Sequence, residues 1–412
     1  MWDPEPLHVA SGELNGRTNL MLGLADEMDS IAATPSWIGD TAVSAAQRLK
    51  LLRDGLEDDL AEVSAMRQAM GETGDAVSGL LHAVAEIDYL AQAHTFRVAD
   101  DGGVHDNGPR NEPTDENQRA ELARERERMR AELIDRVEQV LRRANDIDDD
   151  LCRVLRNILD GQVTGGPGDS LTSAAGAGAG AGHLSMIEPP RGGTPADNAG
   201  WYASLGAGEK AWVLANRPDL IGNLDGVPAA DRDKANRARI PIERERLEEE
   251  RTRAQAAGDL EEFDRIEAKL KSLDGVESMI RREDRYLLVL DTTGERARAA
   301  VANGDVNSAD HVAVFTPGMN SNVGESMPGY DNDMEELKAR TEQELRTAGR
   351  PNESVAVVTW LNYEPPTTDG VDALGALSDD RATDGANRLA PFLEGINVGS
   401  STRATPRSHR VH

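Results

Sequence analysis

His311, Val312, Ala313, Val314, Phe315, Thr316, Pro317, Gly318, Met319 is the stretch on which the fold turns: a short apolar run rich in β-formers, closed by a Pro-Gly break. It reads as a strand that delivers a loop. Two further runs of this kind, Tyr286 to Leu290 and Val355 to Leu361, lie on either side of it, with helical potential between them at Met334 to Ala348. Strands alternating with helices predict an α/β domain built on a largely parallel sheet.

Upstream, Ile242 to Leu273 carries Leu247, Leu260, Phe263, Ile266, Leu270 and Leu273 on one side and dense charge elsewhere. This predicts a helix pair broken at Gly258, with the charges as a solvated face. Before it, Trp201, Tyr202 and Trp212 concentrate scarce aromatics and read as core anchors. Asp225, Asp231 and Asp233 lack the alternating oxygen ligands of a calcium loop and read as turn and helix caps.

Residues 161–198 contain Gly165, Gly166, Pro167, an Ala/Gly repeat from Ala174 to Gly182, Pro189 and Pro190. Such a composition buries little apolar surface, so a flexible linker is expected there. Further upstream, Met129, Leu133, Val137, Val140, Ala144, Ile147, Leu151, Val154 and Ile158 recur in steps of three and four, predicting one long helix over 114–160. Residues 1–99 hold two more apolar stripes, one through Leu20, Met21, Leu24 and Met28, the other from Ala45 to Met70. They predict two helices joined at Thr34 to Gly39 and packed as an antiparallel hairpin. Helix-mediated self- or partner association is expected through residues 14–70 and 122–158.

With 45 Lys and Arg against 74 Asp and Glu, the formal charge is -29. That charge repels phosphate backbones and anionic lipid alike, so no nucleic acid is expected as partner. No apolar stretch approaches the roughly 20 residues a membrane span needs, and the N-terminus has no basic signal region. The expected location is the cytoplasm, or outside the cell by a route without a cleavable signal. Cys152 is the single cysteine and reads as a buried structural thiol; it excludes an internal disulfide framework and a cysteine-based metal site. No cofactor and no metal is implied.

Two resemblances follow from these residues. Trp37-Ile38-Gly39 between two helices resembles the small helical-hairpin proteins exported by actinobacterial type VII secretion. Those substrates carry a Tyr followed four residues later by an acidic residue, whereas Tyr89 here is followed by Ala93. The phrase Gly222 to Pro228 with Ala229 to Arg232 and Ala235 to Arg237, together with His311 to Met319 and Val355 to Tyr363, resembles a family of actinobacterial α/β-hydrolases long catalogued as a domain of unknown function. The likeness spans about Trp201 to Gly395. It implies a helical lead-in over 199–280 and a partial α/β-hydrolase core over 281–397, with ester or acyl hydrolysis as the family chemistry. By the same likeness Gly318, Met319 and Asn320 are oxyanion-hole candidates, their amides facing the reacting carbonyl.

Acyl transfer on this fold also needs a Ser in a Gly-x-Ser-x-Gly turn, with an acid and a His later in the chain. No Gly-x-Ser-x-Gly occurs. Ser321, Ser400 and Ser401 lack the required setting, so no catalytic residue is assigned and an incomplete parallel sheet without activity is expected. Residues 398–412, acid-free with three Arg and two His, are compositionally foreign and are expected to be a disordered tail of shifted reading frame. A sheet cut short there is expected to leave hydrogen-bonding edges uncovered.

Overall fold

The computed structural model describes residues 2–32, 39–165, 170–185, 188–366 and 380–400. The chain divides into two compact units, residues 1–84, 139–188 and 203–209 in one, residues 85–138, 189–202 and 210–412 in the other.

The first unit is helical. It draws on α1 (Glu5–Ala32), α2 (Asp40–Ala93), α3 (Glu116–Leu159) and α4 (Leu171–Ala181). Residues 33–38, the expected Trp37 turn, lie outside the described residues. The α3 stripe buries Val140, Ile147 and Val154 at heptad spacing. Cys152, on the same helix, is half-buried rather than buried.

The Ala/Gly repeat is a correction to the expected linker. Residues 171–181 form helix α4, begun by Ser170, whose hydroxyl accepts from the Ser173 amide at 3.1 Å. Poverty in large side chains is what lets the helix dock: a Cβ on Gly178 would stand 2.0 Å from the Ala61 carbonyl oxygen, and one on Gly182 2.2 Å from that of Ala65. Small residues on both helices bring the backbones together, while Leu171 packs with Leu60. Beyond α4, the chain is held by carboxylates: the Leu184 amide donates to Glu72 at 2.7 Å and the Ser185 amide to Asp150 at 2.6 Å. Composition alone misses this because the burial lies between helices distant in sequence.

The second unit contains a small hairpin, β1 (Phe96–Val98) with β2 (Val104–Asp106). Arg126 secures it, lying 4.6 Å over the Phe96 ring and donating to the His94 carbonyl. There follow α5 (Pro195–Ser204), α6 (Ala207–Asn216), α7 (Ala229–Ala257) and α8 (Leu260–Ile280); the last residues of α5 and the first of α6, within 203–209, belong to the other unit. α7 and α8 part at Gly258, which takes a left-handed conformation at φ 70°.

Among the described residues four strands make the main sheet: β3 (Arg285–Asp291), β4 (Arg298–Asn303), β5 (His311–Phe315) and β6 (Val355–Leu361), in the order β3-β4-β6-β5. The sheet is mixed, which corrects the expectation of a parallel one: β3 with β4 and β4 with β6 run antiparallel, and β5 with β6 runs parallel. The missed strand is β4, whose Ala-rich sequence has weak β propensity yet is buried throughout. Alternate residues face two cores. Val301 and Leu361 meet α8 residues Leu270 and Leu273, while Ala300, Val358 and Trp360 meet Phe392 and Ile396 of α10 (Asp380–Ser400). Between β5 and β6 the chain forms α9 (Met327–Thr347).

The β3 edge is covered, not open. Leu287 donates its amide to Asp233 at 2.7 Å, Arg232 donates to the Leu288 carbonyl at 2.7 Å, and Asn223 both donates to and accepts from Leu290. The Gly222 to Arg237 phrase thus supplies side chains where another strand would stand. Helix α10 continues to Ser400, and Val398 is 3% exposed with its carbonyl taken by Arg136 at 3.1 Å. Residues 398–400 therefore belong to a packed helix rather than to a disordered tail; 401–412 lie outside the described residues. Among the described residues no helix is long and apolar enough to cross a membrane.

Candidate functional site

The parallel register of β5 on β6, His311 opposite Val355 and Phe315 opposite Thr359, brings their C-terminal ends together. In open α/β sheets this is the end at which ligands bind. Two chain segments leave from it side by side, 316–326 after β5 and 362–366 after β6.

Two hydrogen bonds join them. The Tyr363 hydroxyl donates to the Pro317 carbonyl at 2.5 Å, and the Asn320 amide donates to the Pro366 carbonyl at 3.0 Å. Tyr363 stacks on Trp360 with ring centroids 6.0 Å apart, and burial pushes its hydroxyl above the usual phenol range. A neutral, donating Tyr is therefore maintained. Asn320 has φ 63°, a left-handed conformation that Asn tolerates better than most side chains.

Of the three sequence candidates, Gly318, Met319 and Asn320 are all exposed, while Pro317 is buried. The Asn320 amide is engaged by Pro366. Among the described residues the Gly318 and Met319 amides donate to nothing, and a Cβ on Gly318 would meet open space. The loop thus presents two consecutive backbone donors on a tethered turn.

Past Asn320 the segment closes on itself. Ser326 accepts from the Asn322 amide at 2.7 Å and donates back to the Asn322 carbonyl at 2.9 Å, while the Asn322 side chain accepts from the Glu325 amide at 2.7 Å. Val323 is buried in the core, and Gly275 of α8 lets its carbonyl approach to within 2.9 Å of where a Cβ would be. Ser321 is buried, 3.3 Å from the Tyr330 hydroxyl. Neither Ser321 nor Ser326 meets a base: no serine–histidine hydrogen bond occurs among the described residues, and His311, at the opposite end of β5, is paired with Glu353 at 2.6 Å.

A cleft of about 620 Å³ is walled by α8, by the β3–β4 turn and by residues 320–325. The charges of α8 are expected from sequence to be solvated, but Lys269 is only 7% exposed and lines this cleft. Burial holds its ammonium below the usual lysine range, against the pull of Glu262 and Glu250. In sequence Tyr363 stands out only as the last residue of the phrase Val355 to Tyr363, and Lys269 gives no signal there. Among the described residues no three His, Cys, Asp or Glu side chains converge as a metal site would require.

Residues 292–409 match the profile of a family described as alpha/beta hydrolase. The matched region runs into residues 398–409, the stretch whose composition had set it apart. An uncharacterized protein of Mycobacterium tuberculosis is 30% identical over 203 residues, 44% of this chain and 30% of that protein. An uncharacterized protein of Mycobacterium bovis is 33% identical over 113 residues, 27% of this chain and 41% of that protein. The chain thus spans well under half the length of these curated relatives. No solved structure matches it.

Proposed function

We propose that the α/β unit is the oxyanion-binding part of an acyl- or ester-hydrolase site. The observation that carries this reading is the pair of exposed amides of Gly318 and Met319, which donate to nothing among the described residues, at the C-terminal end of β5. On hydrolase sheets of this kind, one oxyanion donor comes from the loop between the third strand and the helix that follows. β5 is the third strand of the main sheet in chain order, and its loop leads into α9. Two prepositioned amides would stabilise the charge that develops on a carbonyl oxygen under attack.

The nucleophile is the other half of such chemistry, and this polypeptide has no Gly-x-Ser-x-Gly to hold one. The proposal therefore has the 412-residue chain shaping an acyl site without turning esters over by itself. The test is covalent labelling with a fluorophosphonate. No serine should be labelled stoichiometrically; uptake at Ser321 or Ser326 would overturn the assignment.

The helices of the other unit suit association. Leu20 and Leu24 on α1 and Leu51 and Leu52 on α2 are each more than half exposed, at 70%, 52%, 71% and 64%. Self-association through residues 14–70 is part of the proposal, with 122–158 as its second expected surface. Light scattering should give a mass above that of one chain, and Leu51→Ser with Leu52→Ser should reduce it; a monomeric parent chain would refute self-association.

A further inference from the structure

The cleft beside the candidate oxyanion loop has an unusual charge for this molecule. In a chain of net charge -29, its wall includes Arg265, Lys269, Lys271 and Arg296, with Glu295 and Glu325 as the acidic members. Several of these charges are already matched. Arg265 is paired with Glu261 and Glu262, and Lys271 with Glu325, whose carboxyl that lysine holds below its usual range.

Lys269 differs. The residue is only 7% exposed, yet its ammonium is not among the fully buried unpaired groups, and among the described residues it makes no hydrogen bond and no ion pair. The stem is covered while the ammonium keeps access to the cleft, so an entering carboxylate can pair with a cation that has no protein partner there. Here the neighbouring acids Glu262 and Glu250 act only from a distance. A counter-charge has room to enter from the cleft, whose lining includes Asn320 and Ser321, the residues that directly follow the Gly318–Met319 amides.

We infer that Lys269 receives the carboxylate of a small substrate whose ester or acyl group lies toward the Gly318–Met319 loop. A monoanion fits better than a dianion, because a single ammonium lacks a partner and Glu295 and Glu325 border the same space. The substrate class is thus a carboxylated ester, such as a dicarboxylic acid monoester. The inference rests on the acyl-site reading for the ester and on Lys269 for the charge, and binding separates the two.

Calorimetric titration of the full chain with monomethyl succinate, dimethyl succinate and inorganic phosphate provides the test. Monomethyl succinate should bind about tenfold or more tighter than its uncharged diester, a difference of the size expected for a charge-assisted contact. Lys269→Met keeps an unbranched stem in the same place and should erase that preference with little change in melting temperature, and Lys269→Arg should retain part of it. No binding of the monoester, equal binding of the diester, or an unchanged preference in Lys269→Met would each overturn the inference. So would tighter binding of phosphate than of the monoester. Because no turnover is read, a failure of ester chemistry elsewhere bears on the acyl-site proposal alone.

Discussion

The Tyr363 hydroxyl reaches across from the end of β6 to the Pro317 carbonyl, 2.5 Å away, and so ties the segment after one strand to the loop after its parallel neighbour. The Gly318 and Met319 amides begin immediately beyond that tether. Their direction is thus set by a side chain that lies 46 residues from the Pro317 carbonyl it holds. Stacking on Trp360 fixes the Tyr363 ring, and the ring fixes the loop.

Replacing Tyr363 with Phe keeps the stack and removes the tether. Stability should fall by about 1 kcal/mol, the ordinary worth of one hydrogen bond. Amide hydrogen exchange over residues 316–320 should accelerate more than that global loss accounts for. Exchange in this segment that follows global stability alone would show that the loop is held by other means.

The close approach of α4 to α2 distinguishes glycines of the same repeat. Gly178→Ala forces a Cβ against the Ala61 carbonyl and should destabilise by about 1–3 kcal/mol through overpacking. Gly180→Ala meets nothing within 4 Å, so its higher helix propensity should stabilise by up to about 1 kcal/mol. Urea unfolding of both variants measures the sign; equal effects would mean that α4 is not docked as described.

The covered edge of β3 can be opened one group at a time. Asn223 accepts from the Leu290 amide at 2.9 Å and donates to the Leu290 carbonyl at 2.8 Å, a carbonyl that also receives Arg239 at 3.1 Å. Asn223→Ala leaves the amide without its acceptor and should cost about 1 kcal/mol, whereas Asn223→Asp keeps an acceptor and should cost less. Denaturant midpoints rank the three proteins, and a reversed order for the two variants would show that the donated bond matters more.

Local pattern carried much of the architecture. The β-rich runs at 286–290, 311–315 and 355–361, the helix break at Gly258 and the Pro317-Gly318 loop are legible because strand and helix periods, and the backbone freedom of Gly, are properties of neighbouring residues. The lack of a Gly-x-Ser-x-Gly is likewise a fact of sequence.

Pairing and burial were decided only in three dimensions. An Ala-rich run such as 298–303 becomes a central strand because β3 and β6 lie on either side of it, and the Ala/Gly repeat becomes a helix because Ala61 and Ala65 leave room for it. Lys269 looks in sequence like any charge on a solvated face, yet the packing of α8 against the β3–β4 turn and residues 320–325 buries it beside a cleft. These outcomes depend on contacts between residues far apart in the chain, whose free energy no local period records.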